Sequence, residues 1–189
     1  MKKIIYSLGL VMLTTAMFTV TSCTKDPVPD PVVEQEEFDH VKIQFVKLNA
    51  DGSETNDITS VDFSKSGAPT PSQVTLTNGI SYRMLITLSL KGVSINEEIV
   101  EEGTEHKFFF SPSQSGIVNY VYNDADSDGR GIGLDGKLSV TGTGVIDMKV
   151  ILRHALDKSH AGAQAWNSTD YEQAGGEDDL NITFGLKTQ

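Results

Sequence analysis

Val74-Thr75-Leu76-Thr77-Asn78-Gly79-Ile80-Ser81-Tyr82-Arg83-Met84-Leu85-Ile86-Thr87-Leu88-Ser89-Leu90 alternates apolar and polar residues on both sides of an Asn-Gly pair. Successive side chains of a strand point to opposite faces, so a period of two marks a strand with one buried face. Asn-Gly tolerates the positive φ angles of a type I′ turn. The stretch therefore predicts an antiparallel hairpin, with strands over 74–77 and 80–90.

The same period recurs on either side. Upstream, residues 41–48 and 58–63 read as strands, separated by the turn residues Asn49-Ala50-Asp51-Gly52-Ser53. Downstream, strands are predicted over 95–100, 106–110, 116–122, 137–141, 145–154 and 180–187. Leu180, Ile182, Phe184 and Leu186 face one way in the last of these. No stretch of ten or more residues carries helical periodicity. Short strands at regular spacing with Gly, Asn, Asp and Pro between them predict an all-β fold, an antiparallel β-sandwich of immunoglobulin-like or jelly-roll type.

Ahead of the sandwich, Lys2 and Lys3 precede a largely apolar run and then Val20-Thr21-Ser22-Cys23. This order predicts a secretory signal peptide over 1–22. The last four residues resemble the lipobox of bacterial lipoproteins, which implies that Cys23 is acylated and becomes the mature N-terminus. A membrane span fits less well, because Ser7, Thr14, Thr15 and Thr19 interrupt the run. Residues 23–38 then hold Pro27, Pro29 and Pro31 among acidic residues, the composition of an extended tether. The sandwich is assigned to 39–189.

Charge limits the partners. The chain has 15 basic and 26 acidic residues; loss of Lys2 and Lys3 on cleavage takes the formal net charge from −11 to −13. Such a surface opposes nucleic acid, which is bound by neutralising phosphates with Lys and Arg. Neutral or cationic ligands are favoured. The single cysteine, committed to lipid, leaves no disulfide, so an ordinary core must hold the domain.

Asp124-Ala125-Asp126-Ser127-Asp128-Gly129, followed by Asp135, resembles the first half of an EF-hand loop. Alternate aspartates could supply oxygens to calcium, with Gly129 making the turn and Asp135 closing the shell. A structural calcium at Asp124, Asp126, Asp128 and Asp135 is one expectation; a solvated turn is the other. A second set combines imidazole with carboxylate, donors that suit zinc, copper or nickel. It comprises His40 with Glu36, Glu37 and Asp39; His106 with Glu101, Glu102 and Glu105; and His154 with Asp157 and His160. His106 and His154, near the ends of neighbouring strands, form its leading transition-metal pair.

Trp166 and Tyr171 lie on a long loop over 155–179. Exposed, they would anchor a ligand or partner; folded inward, they would plug the edge of the sandwich. There is no Gly-x-Ser-x-Gly elbow, and no spacing singles out a catalytic triad, so a non-enzymatic protein is expected.

Three stretches together resemble a family of small cell-envelope lipoproteins with one β-sandwich domain, often found near TonB-dependent receptors. They are Glu101-Glu102-Gly103-Thr104-Glu105-His106-Lys107-Phe108-Phe109, Leu152-Arg153-His154-Ala155-Leu156-Asp157-Lys158-Ser159 and Gly175-Gly176-Glu177-Asp178-Asp179-Leu180-Asn181-Ile182-Thr183-Phe184. The resemblance implies an accessory or ligand-binding role in uptake at the outer membrane, without catalysis. Its alternative is a structural protein that docks another envelope protein, through strand 180–187 for example.

Overall fold

The computed structural model of the protein describes residues 35–64 and 67–189. The signal peptide, Cys23 and most of the tether lie outside the described residues. Among the described residues ten strands form two sheets, a β-sandwich. In chain order they are β1 (His40–Leu48), β2 (Glu54–Ser64), β3 (Gln73–Leu76), β4 (Ser81–Leu90), β5 (Val93–Ser94), β6 (Lys107–Pro112), β7 (Val118–Tyr122), β8 (Asp135–Val140), β9 (Gly144–His154) and β10 (Glu177–Thr188). Sheet one runs β2-β1-β4-β8-β7, with β5 paired to β4; sheet two runs β3-β10-β9-β6.

Period two sets which side chains enter the core. Val41, Ile43 and Phe45 of β1 and Tyr82, Met84, Ile86 and Leu88 of β4 face inward from sheet one. Ile146, Met148, Val150 and Leu152 of β9 meet them from sheet two, and Phe184 of β10 lies 6.1 Å from Phe45 and 6.3 Å from Phe63 between ring centroids. The edge of β6 is closed by two loops: Phe108 N–H donates to the Ile132 carbonyl and Phe110 N–H to that of Trp166. A second apolar cluster of Phe109, Ile151, Leu156, Ala163, Tyr171 and Ala174 covers the outer face of sheet two.

The predicted hairpin does not form. Its two strands belong to different sheets: β3 runs parallel to β10, whereas β4 pairs with β1 and β8. Gly79 has φ +79° but Asn78 is not in the left-handed region, so the turn is of type II and not type I′, which needs both central residues there. Ile80 N–H donates to the Thr77 carbonyl, and Asn78 and Gly79 N–H groups go to Gln189 and Val140. The pair turns a corner between the sheets.

The predicted strand over 95–100 is instead helix α1 (Asn96–Glu101). Ile95 and Ile99, four residues apart, are both buried, which suits a helical turn. The Asn96 side chain accepts from Leu88 N–H and donates to the Ile86 carbonyl, fastening α1 to β4. At the other end of the chain, β10 already pairs with β9 along its length and with β3 over Gly185–Thr188, so its C-terminal half offers no edge to a partner strand.

The corner can be tested by substitution. Gly79→Ala should cost about 1–2 kcal/mol, the penalty for placing a Cβ in the left-handed region, while Asn78→Ala should stay within about 0.5 kcal/mol, as for an ordinary surface change. Urea unfolding distinguishes this from a type I′ turn, in which both substitutions would be costly.

Candidate functional site

The site lies where the inward face of β6 and β9 runs out of apolar residues. Register pairs Lys107 with Arg153 and Phe108 with Leu152, which sets His106 across from His154 at the end of the two strands. Both histidines share the inward parity of Phe108, Phe110, Val150 and Leu152. Their rings stack with centroids 4.4 Å apart and planes 18° apart. Lys107 and Arg153 have the opposite parity and leave the site: Lys107 Nζ lies 4.6 Å from the Tyr122 ring, and Arg153 donates to Gly175 O, Gly176 O and Asp178 Oδ1.

Asp179 reaches the imidazoles through an irregularity in β10. Asp178 pairs with Arg153 and Leu180 with Leu152, so Asp179 is the extra residue of a β-bulge. Bulges re-aim side chains, and this one turns Asp179 inward beside Leu180. The strand arrives close against β9 because Gly176 has φ +73° and no side chain; a Cβ there would collide with the His154 carbonyl. The Asp179 carboxylate is fully buried, with Oδ2 3.7 Å from His106 Nε2 and 3.8 Å from His154 Nδ1.

Three glutamates complete the surroundings. Glu36 Oε1 lies 3.3 Å from His106 Nε2, and Glu102 and Glu105 each lie 3.8 Å from His154 Nε2. Burial pushes the Glu36 carboxyl above the usual range, with His106 acting in the opposite sense. His106 Nδ1 sits 3.2 Å from the Glu102 carbonyl; a proton on Nδ1 donated to that oxygen leaves the Nε2 lone pair free. Glu102, His106 and His154 offer ligand atoms within 4.8 Å of one another.

Outside this cluster opens a cavity of about 610 Å³, lined by Glu36, Glu98, Glu101, Glu102, Glu105 and His154 together with Gln35 and Thr104. No lysine or arginine is in that lining. Helix α1 and the turn after it deliver four of the glutamates, which a strand over 95–100 would have spread along an edge.

The other histidines stand apart. His40 pairs with Asp62 at 3.3 Å, and His160 Nδ1 accepts from Gly162 N–H at the start of a 3-10 turn. Of the aspartates proposed for calcium, each has its own protein partners. Asp124 accepts from the N–H groups of Gly133, Leu134 and Asp135. Asp126 accepts from Asp128 and Arg130 N–H and lies 2.7 Å from Lys158 Nζ, Asp128 bonds Arg130, and Asp135 is held in a two-pronged contact by Arg83. Burial opposes the charge on Asp126, but Lys158 and the backbone donors outweigh it and hold the carboxyl below its usual range. Lys158 also donates to the Gly103 carbonyl, so the acidic loop braces the turn that carries Glu102, Glu105 and His106.

Trp166 and Tyr171 fold inward. Tyr171 is 7% exposed and stacks on Phe109 at 5.2 Å with the Arg153 guanidinium over its ring, and Trp166 packs beside Tyr120. Both are plugs of the long loop. The sequence points to the histidine pair but not to Asp179, because an Asp-Asp pair at a strand start carries no periodic signal; it groups Glu36 with His40, whereas the structure sets Glu36 against His106.

No protein family, curated protein or solved structure matches the chain. The envelope-lipoprotein resemblance therefore rests on its three stretches, and those stretches meet in space: they supply Glu102, Glu105 and His106, then His154, then Asp179.

Asp126→Asn should destabilise the domain by about 3–5 kcal/mol, because it strands the buried Lys158 ammonium. Asp126 has a folded value lowered from 3.8, so its contribution is complete above that pH and fades as pH falls through the lowered value. In denaturant titrations across pH, the variant should lose that part of the acid-side slope. Millimolar calcium should leave both midpoints unchanged, since its ligands would have to give up backbone donors and cations; a calcium shift abolished by Asp126→Asn would restore the calcium loop.

Proposed function

We propose that this chain is a lipid-anchored, non-catalytic binding module of the cell envelope, acting in uptake at the outer membrane and capturing a cationic ligand at one end of its sandwich. The observation that carries this reading is the cavity beside His154: five glutamates line it, no lysine or arginine does, and a net charge of −11 adds a field of the same sign. Carboxylates gathered in a concave site raise the local concentration of cations and repel anions. Ligand sites are commonly clefts of this size with a few convergent polar groups. Anchoring through Cys23, and proximity to a TonB-dependent receptor, come from the lipobox and from the resemblance of the three stretches that meet here.

Calorimetric titration of the full-length chain in mild detergent tests the reading, with a panel of divalent metal ions, spermidine as an organic polycation and citrate as an anionic control. At least one cation should bind and citrate should not. Replacing Glu98, Glu101 and Glu105 together by Gln should weaken binding at least tenfold and flatten its dependence on salt. Binding of citrate, or of no cation at all, would overturn the proposal and favour a docking role.

A further inference from the structure

The deepest part of the site is short of positive charge. Four buried atoms there have no hydrogen-bond partner: His106 Nε2, His154 Nδ1 and both oxygens of Asp179. The Asp179 and His106 side chains are fully buried and that of His154 is 10% exposed. An isolated buried carboxylate costs several kcal/mol unless it is paired or coordinated. Yet the two cations nearest in sequence to the histidines, Lys107 and Arg153, lie over the rings of Phe109 and Tyr171, in the cluster on the other face of sheet two.

A proton would meet the need only in part. Protonating one imidazole would give Asp179 a counter-charge at 3.7–3.8 Å, longer than a hydrogen bond. Protonating both would press two like charges together in rings 4.4 Å apart. The separations have another reading. Two ligands held 2.0–2.1 Å from a tetrahedral ion are about 3.3–3.4 Å from each other, and Glu36 to His106, His106 to Asp179 and Asp179 to His154 are 3.3, 3.7 and 3.8 Å. Two imidazoles with carboxylates form the donor set of zinc, copper and nickel, whereas calcium takes oxygen alone.

We infer that His106, His154 and Asp179 bind one divalent transition-metal ion of the zinc class, with Glu36 and Glu102 as flanking carboxylates. This rests on the cationic reading of the cavity and names its ligand. The Glu102 carbonyl would orient His106 through Nδ1, as partners of metal-bound imidazoles do. The glutamates outside would draw the ion in, and Glu36 would connect its arrival to the segment that enters β1 from the tether.

The test uses the full-length chain, stripped with chelator and dialysed, then titrated with Zn²⁺ and with Co²⁺ as a coloured surrogate. One equivalent of Co²⁺ should produce the visible d–d bands of a low-coordinate site with nitrogen donors, and Zn²⁺ should bleach them. A hundredfold excess of Zn²⁺ over its dissociation constant should raise the melting midpoint by several degrees, from about 2.7 kcal/mol of linkage. His106→Gln and His154→Gln should each abolish the bands. Asp179→Asn should abolish the zinc shift while melting, in chelator, no lower than the native chain, because it removes an unanswered buried charge. If the His variants fail to fold, Glu102→Gln, at an exposed position, should still weaken Co²⁺ binding about tenfold.

Absence of Co²⁺ bands and of a zinc shift in the stripped native chain would overturn the metal site and leave a buried imidazolium–carboxylate cluster in its place. If spermidine still binds the cavity in that case, the cationic reading survives alone. If nothing binds, both fall.

Discussion

The pairing of β6 with β9 is the constraint on which core and site both depend. One register places Phe108 against Leu152 and Phe110 against Val150 in the apolar layer between the sheets. The same register, carried one step further, places His106 against His154. It also decides what is kept out, because alternation sends Lys107 and Arg153 to the opposite face. A slip of one residue would exchange the two sets, turning the cations toward the layer between the sheets and the imidazoles toward the outer face of sheet two.

The remaining parts of the site arrive by departures from regular structure. Asp179 is turned inward by a bulge, at a point where Gly176 lets β10 approach the His154 carbonyl. Glu102 and Glu105 lie on the turn after α1, and that turn is fixed by the Lys158 ammonium, which bonds Gly103 and Asp126 from within the fold. Lys158 is itself buried, so its pairing with Asp126 offsets a large desolvation cost. The effect is to hold the glutamate turn from behind, by groups that do not face the cavity.

Strands were legible in the sequence wherever one face is buried, because side-chain period depends only on which face meets the core. β1, β4, β9 and β10 lie close to their predicted positions for that reason. What period cannot show is which strands pair. Asn78-Gly79 has the composition of a hairpin turn, but long-range bonds, Asn78 N–H to the Gln189 carbonyl and Gly79 N–H to that of Val140, hold the pair at a corner between the sheets. Helix α1 escaped because six residues are too few to show a period, and Ile95 and Ile99 fit either assignment. His106 and His154 were visible as a pair because adjacent strand ends bring their residues together. Asp179 was not, since a bulge is invisible to alternation. Glu36 was read as tether, although it sits against His106, and Phe38 two residues on is buried in the core.

Two carboxylate groups in this protein contrast in a way composition does not reveal. The loop from Asp124 to Asp135 looks more like a metal site on paper, yet its aspartates are met by backbone N–H groups, Lys158, Arg130 and Arg83. Such partners stabilise the charged form by themselves. Asp179 has a less promising context in the sequence, but neither of its oxygens is met by any hydrogen-bond donor among the described residues, and two imidazoles present unpartnered nitrogens to it. Buried carboxylates in folded chains are nearly always met by a donor or an ion, so one left unmet marks a place where something is to be accounted for. The number of acidic residues is therefore a poor guide to where a cation belongs; what matters is which of their oxygens the protein has left without a donor.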